Sequence, residues 1–477
     1  MLATVVALVA ALITLISVFS GLKARPIDID CPEFLMTGVE RAPIVSSFIA
    51  ALQRDAGYDP APRHVATDPL RDTLKAESFQ WRSEIDSDPL FTKLVGANVA
   101  GADTADGEKW HHEPNQSSAP NVLLLSGGGA WGAFGAGFLA RLAERGGPNA
   151  LPDISAITGV STGAILGLML AAGDAAIAEA EYTLDAPIGL TRASGFAAII
   201  SLMRRGGLTD LSPLLARLET WLLVGGSDGA DRLDRLAAIP TLLLVGAVEA
   251  ASGDFRIFDL GRLARNAIAG ADDNRAARQQ AARAIAGIVL ASSAVPIQMV
   301  PVRLRDPATG MLKTYVDGGV RLSVFDGHVA EIINRADAAR TDNARKDNRA
   351  APSPVNLFVL RNGPTVSRPS PADTTAAGQT VVDSNPNVLN VLQTSQSAII
   401  NQNELASIAL LRLDLPHSPI LVATADGYSF GETGCTELPS REEPYPLAGM
   451  CCLAGFGRAK AASDTPWIIV PNISKTN

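Results

Sequence analysis

The chain has 477 residues and a net charge of −9, with a pI near 5.2. That balance excludes a protein that grips nucleic acid through a concentrated basic face. With 47% hydrophobic and 19% charged residues and a mean hydropathy of +0.17, the chain is globular rather than disordered, and its length suits one large α/β domain with extensions, or two or three domains.

Residues 1–22 are almost wholly apolar, about the length that crosses a bilayer as a helix. The stretch lacks the basic start of a secretory signal, although Ser20 with Val18 before it is a passable small-residue cleavage site. Lys23 and Arg25 follow it and favour retention of the downstream chain on the cytoplasmic side. The expectation is a transmembrane anchor or signal segment over 1–24 that associates the protein with a membrane, cytoplasmic or periplasmic/extracellular side left open. Residues 25–119 read as an irregular extension ending in a polar linker over 101–118.

From Asn121 the texture changes to apolar strands alternating with Ala-rich helices. Strands are expected at 122–125, 154–158, 241–249, 254–258 and 355–360, and helices at 130–145, 163–172, 275–292 and 387–413. Such alternation predicts an α/β fold with a mainly parallel sheet covered on both faces. Phe196, Ile199, Ile200 and Met203 share one helical face ahead of Arg204-Arg205, either a buried face or an interfacial one. The charge-dense 328–349 predicts a solvated helix, 365–387 a flexible Pro/Ser/Thr-rich loop, and 427–477 a loop-rich end. Cys435 can bridge to Cys451 or Cys452 in an oxidising compartment. No cysteine has metal-ligand spacing with a histidine, so no metal is expected.

Two glycine-centred turns dominate the chemistry. Gly127-Gly128-Gly129-Ala130-Trp131-Gly132 follows the first strand and can aim several backbone N–H groups at a developing oxyanion. Gly159-Val160-Ser161-Thr162-Gly163 follows the second. In Gly-x-Ser-x-Gly a strained strand-to-helix turn frees the serine hydroxyl, and the next helix points its positive end at the site. A serine needs a base. His328 and His417 are the histidines after Ser161, and both read as surface residues. Asp317, in Tyr315-Val316-Asp317-Gly318-Gly319, closes an apolar strand at a sharp turn and is the better candidate.

In this order the three motifs resemble the patatin-like phospholipase family. Gly207-Leu208-Thr209-Asp210 and Ala291-Ser292-Ser293-Ala294-Val295-Pro296 support the resemblance. It covers about residues 121–320 well and reaches more weakly to 413. It implies a three-layer α/β/α fold over 120–413, with a loop-rich extension over 414–477. It further implies a Ser161–Asp317 dyad without catalytic histidine, cofactor or metal, and hydrolysis of lipid acyl esters of the phospholipase A or lysophospholipase type at a membrane surface. Gly127, Gly128, Gly129 and Ala130 are then the oxyanion hole, Gly159 and Gly163 frame the nucleophile, and Gly318 and Gly319 follow the base. The family usually has Arg or Lys where this chain has Trp131, a departure that removes a positive charge beside the oxyanion and weakens the expectation of a phospholipid relative to a neutral acyl ester. Three rivals stand beside this reading. One is an α/β-hydrolase using His328 or His417. Another is an oxidoreductase reading Gly127-x-Gly129-x-x-Gly132 as a dinucleotide fingerprint, although the second strand lacks the acidic end that motif needs. The third is a non-catalytic lipid-binding scaffold.

Overall fold

The computed structural model describes residues 27–30, 36–40, 88–96, 119–145, 152–183, 195–225, 230–269, 275–306, 310–365, 383, 388–428 and 447–471. The expected membrane segment at 1–24, the linker at 101–118, nearly all of the loop at 365–387, Cys31 and Cys435 lie outside the described residues.

Thirteen strands are described: β1 (Ile27–Asp30), β2 (Met36–Glu40), β3 (Asn121–Leu125), β4 (Ala156–Val160), β5 (Gly207–Thr209), β6 (Leu242–Glu249), β7 (Phe255–Asp259), β8 (Ile297–Met299), β9 (Val302–Arg305), β10 (Leu312–Asp317), β11 (Asn356–Leu360), β12 (Ile420–Ala423) and β13 (Ile468–Ile469). β5 and β8 form a small parallel pair, and the rest make one sheet with the path β1-β9-β10-β6-β4-β3-β11-β12-β13 and β7 and β2 branching from β6. The centre, β6-β4-β3-β11-β12, is parallel throughout. Its strands are buried on both faces, as a sheet covered by helices on each side requires.

Alternation along each strand separates two cores. Leu123 and Leu125 of β3, with Leu243 and Val245 of β6, join one core. The helices on that face include α2 (Gly132–Glu144), α3 (Thr162–Ala171) and α4 (Arg275–Ser292). Val122, Leu124, Leu242 and Leu244 join the other. It is closed by α1 (Pro89–Gly96), α5 (Gly327–Lys346) and the C-terminal end of α6 (Val388–Asp414). This is a three-layer α/β/α fold with a mainly parallel central sheet.

The elements expected around the core fall where the sequence pattern puts them, within one or two residues at most ends. Three features differ. The 328–349 segment is amphipathic rather than solvated all round, because Val329, Ile332, Ile333 and Ala336 are buried in the second core. His328 is buried, not at the surface, and its Nε2 lies 3.1 Å from Asp88 Oδ2 at the start of α1. Within the C-terminal stretch read as loop-rich, α7 (Leu447–Ala462) packs Met450 and Leu453 into the first core. Cys452, in that helix, is disulfide-bonded, while Cys451 is free and exposed. The face holding Phe196 and Ile199 belongs to a helix, Gly195–Arg205, whose Met203 is exposed; the side chains of Phe196 and Ile199 lie outside what is described.

Candidate active site

β6 is the strand that brings the motifs together. Leu244, Val245 and Gly246 pair with β4 on one side and β7 on the other, while Ala247 and Val248 pair with β7 and β10. β4 and β10 therefore share one edge of β6 and run toward each other. Val160 is opposite Gly246 and Asp317 is opposite Ala247, so Ser161 and Asp317 emerge where two strands meet end to end. Leu125 of β3 pairs with Gly159 and with Leu360 of β11. The glycine-triplet turn thus leaves the same sheet edge as the serine turn, at the carboxyl ends of parallel strands.

Ser161 stands at φ 54° and ψ −125°, a region that costs a side-chain-bearing residue about 1–3 kcal/mol. Close packing holds it there. A Cβ on Gly163 would collide with the carbonyl oxygens of Leu125 and Ser126, and one on Gly159 would lie 2.5 Å from the Gly163 carbonyl. α3 can therefore start against β3 only because Gly163 carries no side chain. The Ser161 N–H donates to Ser292 Oγ at 2.8 Å, and that hydroxyl donates to the Gly246 carbonyl at 2.6 Å. Two residues on, the Ala294 carbonyl accepts from the Asp317 N–H at 3.0 Å. The end of α4 and the turn after it thus fix both strand ends.

Asp317 is 2% exposed. Its Oδ1 accepts from the Gly319 N–H at 2.7 Å. Burial pushes its carboxyl up to about 6, against the opposing pull of the Ser161 hydroxyl and the Gly319 amide. Oδ2 has no hydrogen-bond partner among the described residues.

The glycine-triplet turn lies against the serine. A Cβ on Gly127 would be 3.4 Å from Ser161 Cβ, and Thr162 Oγ1 donates to the Gly129 carbonyl at 3.2 Å. Gly127 N–H is occupied by the Ser323 carbonyl at 3.4 Å. The N–H groups of Gly128, Gly129 and Ala130 donate to nothing among the described residues, as expected where a helical turn begins. Asn362, just past β11, braces this turn: its N–H donates to Ser126 Oγ at 2.9 Å and its Nδ2 to the Ser126 carbonyl at 2.7 Å. A Cβ on Gly128 would overlap the Asn362 carbonyl. Next to Asn362, the buried Arg361 pairs with Glu404 of α6, Nε to Oε1 at 3.4 Å. Burial raises the Glu404 carboxyl and the guanidinium opposes the rise. Trp131 contacts Tyr428 edge to face at 5.7 Å, and Tyr428 contacts Phe456 of α7 at 5.4 Å. Trp131 is thus part of an aromatic cluster.

The structure brings together Ser161, Asp317, the two turns and the Asp-Gly-Gly bend. His328 is tied to Asp88, and His417 is exposed on the wall of a cavity with Asn334 and Asp337. Ser292, Asn362, Ser323 and the Arg361–Glu404 pair had no role assigned from sequence. Among the described residues no cluster of three His, Cys, Asp or Glu is placed to hold a metal ion, and no helix is long and apolar enough to cross a membrane.

Fold and layout together define a three-layer α/β/α protein with its serine turn, glycine-triplet turn and Asp-Gly-Gly bend at one place on the sheet. Residues 123–325 match the family described as Patatin-like phospholipase. Among solved structures it is similar to VipD from Legionella pneumophila at 15% identity, over 72% of this chain and 68% of that one, with a TM-score of 0.27. A superposition that loose carries no argument about geometry. Among curated proteins none matches.

Proposed function

We propose that the protein hydrolyses carboxylic esters of lipids, of the phospholipase A or lysophospholipase type, through a Ser161 acyl-enzyme with Asp317 as the base. One observation carries the reading: a serine in a strained strand-end conformation beside a buried carboxyl whose affinity for a proton is raised. A carboxylate with a pKa near 6 is ionised at neutral pH, yet is basic enough to take the hydroxyl proton as the acyl bond forms. It returns that proton to the leaving alcohol. The free N–H groups of Gly128, Gly129 and Ala130 serve the tetrahedral oxyanion, and α3, starting at Thr162, adds the positive end of its dipole. Trp131 supplies no charge for an anionic head group, which favours neutral or zwitterionic esters.

The test is fluorophosphonate labelling of the full chain, followed by hydrolysis of phospholipid, lysophospholipid and neutral ester. Labelling that is lost in Ser161→Ala and slowed in Asp317→Asn supports the dyad. Labelling that survives Asp317→Asn but is lost on replacing His328 and His417 together points to the histidine mechanism instead. A wild-type chain that never labels leaves a lipid-binding scaffold.

A further inference from the structure

Helix α6 runs over the proposed site with its outer face turned the wrong way for a soluble protein. Its inner face is fixed. Ile400 lies beside Gly319, Glu404 pairs with Arg361, and Leu411 is buried in the second core. At about 100° per residue, Val391, Leu392, Ile399 and Leu413 fall within one arc of about 100° on the opposite side. They are 43%, 46%, 57% and 58% exposed. Between Val391 and Leu413 the charged residues are Glu404 and Arg412, and both are buried. The outward face therefore presents leucine, isoleucine and valine among serine, threonine, glutamine and alanine, and no charge. Val391, Leu392 and Ile399 lie within about 12 Å along the axis at the usual rise of about 1.5 Å per residue, and Leu413 stands about 21 Å further on. A surface helix normally carries its charges on this face, and an exposed apolar patch marks an interaction surface. The helix borders the site through its inner face, where Ile400 lies beside Gly319, and Val320, next after that bend, is itself 38% exposed.

We infer that this face of α6 is a docking surface for a neutral or zwitterionic lipid interface, which it holds beside the helix that borders the Ser161–Asp317 site. The inference rests on the proposed lipid hydrolysis for its choice of occupant. The absence of exposed charge is what selects a lipid surface of low net charge: contact is by apolar side chains inserted among acyl chains, without basic residues to attract anionic head groups.

The test places a reporter on the patch in the full chain. In Ile399→Trp, vesicles of brominated phosphatidylcholine should quench the added tryptophan fluorescence relative to wild type, and high salt should leave the quenching unchanged. A tryptophan replacing Arg345, which is exposed on α5, serves as the control and should stay unquenched. In the triple variant Val391→Asp, Leu392→Asp, Ile399→Asp, turnover of phosphatidylcholine vesicles should fall by about tenfold or more, an effect of the size expected for losing apolar insertion, with hydrolysis of a soluble short-chain ester kept. An unquenched Ile399→Trp overturns the inference, as does equal loss on vesicle and soluble substrates. So does a concentration-dependent dimer that the triple variant dissolves, which would assign the face to a second copy of the chain. If wild type hydrolyses no ester, the proposed function fails, while the quenching still reports on this surface independently.

Discussion

Ser161 and Asp317 close the two strands that meet along β6, and each is held in an unfavourable state of a different kind. The Ser161 strain is in the backbone, at φ 54°. Asp317 has an ordinary backbone, φ −48° and ψ 132°, but its carboxyl is buried and pushed up to about 6. Backbone strain fixes a direction for a hydroxyl that has no charge to steer it. Desolvation tunes a proton affinity and leaves the geometry relaxed. A nucleophile needs the first and a base the second, so the contrast between the two strand ends follows the contrast in their proposed roles.

Removing the hydroxyl tests the strained end. Ser161→Ala should lower ester turnover by about 10^4-fold or more, since loss of a nucleophile leaves only what binding and oxyanion donors provide; steady-state rates on a soluble ester check this. Ser161→Gly should abolish turnover as completely and yet raise the stability by about 1 kcal/mol, because glycine accepts the positive φ, with part of the relief offset by its greater freedom in the unfolded chain. Urea unfolding of the two variants separates the effects. A glycine variant no more stable than the alanine one would remove the strain from the account.

The desolvated end is tested by charge. Asp317→Asn should lower turnover about 10^2- to 10^4-fold, as expected for loss of a general base. In wild type, activity should rise with pH through a midpoint near 6 and stay level above it, because the ionised form is the base. Stability runs the other way. The folded carboxyl binds its proton more tightly than the unfolded one, so its favourable contribution is complete below the ordinary aspartate value of 3.8 and is lost as pH rises through about 6. The shift corresponds to about 3 kcal/mol. Asp317→Asn should therefore be more stable than wild type by up to about that amount at pH 8, and the difference should disappear toward pH 4. Denaturant titrations at the two pH values measure it, and equal stability gains at both would show that burial of charge is not what raises the carboxyl.

Much of this was legible in the sequence because the signals are local. The elbow, the glycine triplet and the Asp-Gly-Gly bend each announce a strand end within a few residues, and apolar alternation places the strands that lead to them. What stayed hidden depends on contacts between distant parts of the chain. Asn362 reaches Ser126 across 236 positions and His328 reaches Asp88 across 240. A lone histidine in a charged run gives no sign that an aspartate on another helix will bury it. Nor does a polar, charge-poor segment such as 388–403 reveal which of its faces will be covered; only the packing of Ile400 on Gly319 and of Glu404 on Arg361 decides that. The antiparallel arrival of β10 on the edge shared with β4 is likewise a matter of topology, and it is what makes the two motifs neighbours.

The smallest of the expected effects concerns the residue that joins the two ends. Ser292 is fully buried, accepts from the Ser161 amide and donates to the Gly246 carbonyl, while Ala294 two residues on holds the Asp317 amide. Its hydroxyl touches no reacting atom in this arrangement, so it acts by position, keeping the serine turn in its strained conformation. In Ser292→Ala a buried donor and a buried acceptor both lose their partner, at about 1–3 kcal/mol for each group left unsatisfied. The released amide lets the Ser161 turn relax, so kcat should fall by about tenfold with KM nearly unchanged, and fluorophosphonate labelling should slow in proportion. Ser292→Thr keeps the hydroxyl and should restore much of the rate if the extra methyl is accommodated. A stability loss without any change in kcat or labelling would make Ser292 a structural residue alone and would leave the tight packing at Gly159 and Gly163 as the sole source of the Ser161 strain.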